Sequence, residues 1–154
     1  MAMVTFDCAN AAPDISGIAI LGDEPRLVPL AAAVNATLHA EHPGEDYRAA
    51  LGRVALALTN HGARHMLVVP ADLPALSAGD VQTLLADHKA GVTICPAAED
   101  GGTNALLLSP PTAIPFLYGP DSAARHRAAA EAAGVPVRVV NIPGFARDVD
   151  SPED

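Results

Sequence analysis

From Met66 to Pro74 the chain reads MLVVPADLP, an apolar run that ends where Pro70 and Pro74 bracket Asp72. A short continuous apolar run bounded by turn formers has the pattern of a strand covered on both faces. Such strands belong to sheets with helices packed on either side. Just upstream, Tyr47, Ala50, Leu51, Val54 and Leu58 recur at three- and four-residue spacing, so residues 45–60 form an amphipathic helix that His61 and Gly62 end. Helix followed by buried strand is the alternation that right-handed crossovers build into a parallel sheet. Ligands of open sheets gather at the carboxyl ends of the strands, which is where Asp72 falls. On its own Asp72 has two readings: a functional carboxylate at the sheet edge, or the N-cap of the next helix.

Composition narrows the class. The length of 154 residues suits one domain, half of it is apolar, and aromatics make up only 3%, so the core must be built from Ala, Val and Leu. A formal net charge of −9, with no cluster of Lys or Arg, argues against a nucleic-acid or anionic-membrane partner, because phosphate surfaces demand basic residues. No apolar run approaches the roughly 20 residues needed to cross a bilayer. Cys8 and Cys95 lie far apart without CxxC spacing and read as reduced thiols. No cationic and apolar leader opens the sequence, so the expected compartment is the cytoplasm.

The remaining segments supply the candidate chemistry. Met1 to Ala12 has the composition of a helix end, followed by a short strand over 17–21, an Ala-rich helix over 27–34 and a further strand within 35–39. An α/β unit normally opens with a strand, so a preceding strand and loop are expected to lie outside this sequence. His39, Glu41 and His42 lack the i, i+4 histidine pair of a helical zinc site. Ser77 and Asp80 match a capped helix start, with Val81, Leu84 and Leu85 on the buried side.

After the strand over 92–95 comes EDGGTN, residues 99–104. Gly101 and Gly102 let backbone N–H groups converge on an anion, and Thr103 and Asn104 add side-chain donors; an ordinary tight hairpin is the alternative. Gly119-Pro-Asp-Ser122 introduces an Ala-rich helix reaching Gly134. Its unpaired first-turn N–H groups make Gly119 and Ser122 candidates for holding a carboxylate or phosphate, unless Asp121 or Ser122 is simply the N-cap. His126 and Arg127 are expected to be solvated, with Arg125 or Arg127 as anion contacts. Residues 135–141 alternate and read as an edge strand. Asp148 and Asp150, one residue apart, project to the same side of an extended segment, the disposition that suits a hard cation; in an acidic tail the same residues can be inert.

Four segments, PADLP at 70–74, EDGGTNALLL at 99–108, YGPDS at 118–122 with His126, and RDVDSPED at 147–154, resemble in order those of the phosphoenolpyruvate/2-phospho-L-lactate guanylyltransferases. The resemblance covers roughly residues 45–154. It implies a three-layer αβα architecture with a mostly parallel mixed sheet, the nucleotide-diphospho-sugar transferase fold, in a single nucleotidyltransferase domain over 1–154. It also implies transfer of GMP from GTP to a short phosphorylated acid, with release of pyrophosphate, in deazaflavin coenzyme biosynthesis. Asp72, Asp148 and Asp150 are the implied catalytic ligands of Mg2+. Gly101, Gly102, Thr103, Asn104, Gly119 and Ser122 are the implied contacts to the acceptor acid. The chemistry fits: two phosphates that repel each other must be neutralised and aligned, and the attacking phosphate needs no protein base because it is already ionised.

Members of that family begin with a strand and a loop of the form P-x-K…A-K-S-R-L that holds the GTP triphosphate. Here Lys89 is the only lysine, so that nucleotide loop is not in the chain and its residues stay unassigned. The domain is therefore expected to be incomplete at its N-terminus. A catalytically silent paralogue, binding a phospho-acid or acting as a subunit-interaction module, is the second expectation, and the Ala-rich helices leave a homodimer open.

Overall fold

The computed structural model describes residues 15–22 and 25–146; Met1 to Ala12, Asp148 and Asp150 lie outside the described residues. The strands are β1 (Ala19–Leu21), β2 (Thr37–His39), β3 (Met66–Val68), β4 (Gly91–Pro96), β5 (Thr103–Ser109) and β6 (Val137–Val139). The helices are α1 (Leu27–Ala33), α2 (Tyr47–Asn60), α3 (Ala78–Ala86) and α4 (Ser122–Ala132), followed by a 3-10 turn over Pro143–Phe145.

The larger sheet has the order β3-β5-β4-β6, with β5 antiparallel to both neighbours and β4 parallel to β6. Three of its four strands thus run one way and β5 alone is reversed. A separate parallel pair, β1 with β2, joins the same side of the core through Leu21. Helices cover both faces. Leu51, Val54 and Ala55 of α2 and Ala130 of α4 pack over Val68, Val92, Ile94, Leu106 and Leu108. Val81 and Leu84 of α3, with Phe145, pack over Cys95, Ala105 and Leu107 on the other face. The expected three-layer mixed sheet is the observed one, and its small aliphatic side chains suit a chain with few aromatics.

Local chemistry fixes where the elements begin. Gly91 has φ +80°, and a Cβ there would lie 2.2 Å from the Pro136 carbonyl oxygen, so only glycine lets β4 start against the segment leading to β6. Ser77 opens α3 with a reciprocal capping box: its hydroxyl accepts from the Asp80 N–H, and the Asp80 carboxylate accepts from the Ser77 N–H at 3.0 Å. Replacing Ser77 with alanine should cost about 1 kcal/mol of stability, read from the urea midpoint at unchanged slope. A loss below a few tenths of that would remove the cap from the account of why α3 starts there.

Candidate active site

The site lies where β5 begins beside the start of α4. Along β5, Ala105 and Leu107 face α3, whereas Leu106 and Leu108 face α2 and α4. Strict alternation would send Thr103 toward α3. Instead, Ala105 pairs with Cys95 but Thr103 pairs with Pro96, which leaves Asn104 as an extra residue in a β-bulge. A bulge of one residue inverts the alternation beyond it, and Thr103 turns to the α4 side.

There it meets His126. Ser122, His126 and Ala130 recur four apart on α4 and are all buried, so they form the stripe that faces the sheet. The Leu117 N–H donates to Nε2 of His126 at 2.8 Å. His126 Nδ1 lies 3.1 Å from the Thr103 hydroxyl oxygen, and the Ser122 hydroxyl lies 3.0 Å from the same oxygen. Burial, with a smaller contribution from the Arg125 charge, pushes the imidazole down to about 4, so it is neutral near pH 7. The expectation that His126 is solvated is therefore corrected: it is fully buried and bonded at both ring nitrogens. Arg127 is exposed and paired with Glu131 at 2.8 Å, one turn along.

Two tyrosines carry the site toward Asp72. The Tyr118 ring meets His126 edge-on at 5.0 Å and Tyr47 at 5.4 Å. The Tyr118 hydroxyl is buried without a hydrogen-bond partner, and desolvation holds that phenol well above its usual range. Tyr47 is the first residue of α2; its phenol is also raised, by desolvation first, then by the Asp72 carboxylate, then by Glu41. Because Tyr47 keeps 45% of its surface exposed, the effect of Asp72 reports proximity and is no measure of stability. Asp72 follows β3 at its carboxyl end, with Oδ1 buried and unpartnered. It does not cap the following helix, since Ser77 does. Asn104 Nδ2 is likewise buried without a partner.

The glycines are tied into the turns around this site. Gly102 N–H already donates to Asp100 Oδ1 at 2.8 Å, and the Gly101 carbonyl accepts from Ala123 N–H at 3.1 Å. The Gly101–Gly102 segment is thus a hairpin turn that also docks the β4–β5 loop on the start of α4. Gly119, at φ +119°, accepts from Ser122 N–H at 3.1 Å. Asp121 holds the N-cap position in the left-handed region, with φ 52°, and makes no side-chain cap bond. The Ser122 hydroxyl turns to Thr103. Neither residue is the ordinary side-chain cap that the sequence also allowed.

Among the described residues no group of three or more His, Cys, Asp or Glu side chains is placed to hold a metal ion, which covers His39, Glu41 and His42. Of the expected acidic set, only Asp72 lies within the described residues. Its orphaned carboxylate oxygen is the kind of hard ligand a divalent cation accepts.

A family model described as guanylyl transferase CofC like matches residues 1–154. The chain belongs to the CofC-like guanylyl transferase family. Within that family's neighbourhood, the chain is 45% identical over 107 residues to a phosphoenolpyruvate guanylyltransferase of Roseiflexus sp. (strain RS-1), covering 68% of this chain and 47% of that protein. It is 40% identical over 97 residues to a 3-phospho-D-glycerate guanylyltransferase of Colwellia psychrerythraea (strain 34H / ATCC BAA-681), covering 62% of this chain and 46% of that protein. The matched stretch thus spans about half the length of each of these two relatives. A solved structure from Desulfovibrio desulfuricans G20, described as a nucleotide-diphospho-sugar transferase, superposes with TM-score 0.73 at 18% identity, covering 97% of this chain and 68% of that one. That likeness establishes the nucleotide-diphospho-sugar transferase fold. None of the described helices is long and apolar enough to cross a membrane.

Sequence reasoning placed Tyr47 on the amphipathic helix and Tyr118 and His126 in a segment that carries the family resemblance, but it gave none of the three a site role and expected His126 to be solvated. The available signal for His126 was its spacing: four residues after Ser122 and four before Ala130, on a helix with few other groups to bury.

Proposed function

We propose that the chain forms the acceptor-binding part of a guanylyltransferase that transfers GMP from GTP to a short phosphorylated carboxylic acid, phosphoenolpyruvate or 2-phospho-L-lactate, in deazaflavin coenzyme biosynthesis. One observation carries this reading. A buried carboxylate oxygen without a donor, on Asp72, shares the site with buried donors without acceptors, on Tyr118 and Asn104. Each such group costs free energy if left alone, so their persistence together fits a ligand that is anionic and accompanied by a cation. The family membership and the guanylyltransferase names of the relatives support the same chemistry.

In this reaction an oxygen of the acceptor's phosphate attacks the α-phosphorus of GTP. A new P–O bond forms, the bond to the β-phosphate breaks, and the electron pair leaves with pyrophosphate. No proton has to move, because the attacking phosphate is already ionised. Asp72, with Asp148 and Asp150, would hold Mg2+, whose chemistry when bound is to offset the charges of the opposed phosphates. Thr103, Asn104 and Ser122 orient the acceptor through its carboxylate. Gly101, Gly102 and Gly119 keep the wall free of side chains; at Gly102 a Cβ would lie 2.8 Å from an Asp100 carboxylate oxygen. Tyr118 and the rings beside it exclude water from that end, which strengthens each contact to the anion.

Full-length protein incubated with GTP, magnesium and a short phospho-acid should release pyrophosphate with phosphoenolpyruvate or 2-phospho-L-lactate; 3-phospho-D-glycerate is the informative third arm. Absence of release with all three sinks the proposal. Thr103→Val, which keeps the shape and removes the hydroxyl, should raise the acceptor KM about tenfold with little change in the KM for GTP, as expected for losing a hydrogen bond to a charged group.

A further inference from the structure

We infer that His126, buried behind Thr103, is a positioning residue that fixes the Thr103–Ser122 hydroxyl pair so that one hydroxyl hydrogen always points out to the acceptor's carboxylate. The inference rests on the proposed acceptor site and deepens it.

The direction of each bond can be worked out from the backbone inward. A peptide N–H only donates, so the Leu117 N–H at 2.8 Å requires that His126 Nε2 carry a lone pair. In a neutral imidazole the proton is then on Nδ1, and Nδ1–H donates to the Thr103 oxygen 3.1 Å away. Burial that pushes the ring down to about 4 keeps this tautomer in place near pH 7. Thr103 and Ser122 bring two hydroxyl hydrogens to this cluster. One is consumed between their oxygens, 3.0 Å apart. The ring can accept neither, because its Nδ1 is already a donor. One hydroxyl hydrogen is therefore left over, and the residue next to Thr103 in β5, Asn104, also carries an unpartnered donor on Nδ2.

If residue 126 presented an acceptor to Thr103 instead, that hydrogen would turn inward and the donor would be lost. An acceptor for the Leu117 N–H accounts for Nε2 alone; the second polar atom of the ring, Nδ1, is spent on Thr103. The arrangement selects ligands that accept hydrogen bonds, which carboxylates do through all their oxygens.

Two measurements on full-length protein test this. Long-range nitrogen–proton NMR of the wild type should report the Nδ1–H tautomer of His126; an Nε2–H tautomer overturns the inference. Pyrophosphate release with phosphoenolpyruvate as acceptor should show His126→Phe raising the acceptor KM about tenfold while the KM for GTP holds. His126→Asn, whose amide can donate from the Nδ1 position, should recover most of the loss. An unchanged acceptor KM in His126→Phe, or acceptor and GTP KM values that rise in step, overturns the inference while leaving the activity intact. A wild type inactive on every short phospho-acid overturns the underlying functional reading, which the tautomer measurement does not depend on.

Discussion

Asp72→Asn should lower the rate of guanylyl transfer by at least about 100-fold, the scale seen when one preorganised electrostatic contact to a developing charge is removed. It should do so without loosening the fold. Asp72 does not cap α3, because Ser77 and Asp80 form that cap between themselves. Its Oδ1 is buried without a donor, so the carboxylate gives the ligand-free fold little and its desolvation costs it something. The amide is neutral and of nearly the same shape, which makes the expected change in unfolding midpoint zero or slightly upward. Lost activity with retained or raised stability is the signature of a residue held in place for a ligand. Both quantities should therefore be read on the same preparations. An active Asn variant removes Asp72 from the reaction, whereas an inactive variant that also melts earlier would mean that the carboxylate has a structural partner.

What could be read beforehand divides by how far in sequence the determining contacts lie. The α3 start was legible because Ser77 and Asp80 satisfy each other within one turn. The strand ending before Asp72 was legible because a continuous apolar run between breakers has few other ways to be buried. Thr103 and Asn104 were legible as polar residues beside a glycine pair, but their orientation was not. That depends on the bulge against β4, where Ala105 takes Cys95 and Thr103 takes Pro96, and register is a property of two strands together. His126 was misread for a related reason. On a helix made largely of Ala, no apolar stripe marks the inner face, so the stripe of Ser122, His126 and Ala130 acquires its meaning only when α4 lies on β5. The contact of Tyr118 with both Tyr47 and His126 joins α2 to α4 across the sheet face, and no local pattern encodes it.

Acidification should destabilise this protein first through its buried histidine, His126. His126 is fully buried and its folded-state value is pushed from 6.5 down to about 4, chiefly by desolvation and secondarily by Arg125. The unfolded chain therefore binds the proton more readily than the folded one, and stability falls as pH drops through the interval from 6.5 to about 4. The stabilisation is fully present above that interval, and its complete loss amounts to about 3 kcal/mol. About 2 kcal/mol of it should disappear between roughly pH 7 and roughly pH 5. Charging the ring in place is opposed by its burial, by Arg125, by the Leu117 N–H aimed at Nε2, and by the absence of an acidic partner in the Thr103–Ser122 cluster. His88 is depressed in the same direction, by desolvation first and then by His65 and Arg138, so it adds to the slope. Glu45 and Asp46 are lowered from 4.5 and 3.8, so their contributions begin to be lost only toward the acid end of that interval. Urea unfolding at about pH 7, 6 and 5 should consequently give a steeper fall for the wild type than for His126→Phe. The phenylalanine variant begins from a lower stability because the Leu117 N–H loses its acceptor, so the slopes and not the absolute values carry the comparison. Parallel slopes for the two proteins would show that His126 accepts a proton in the folded state as easily as in the unfolded chain, which a ring buried behind Thr103 cannot do.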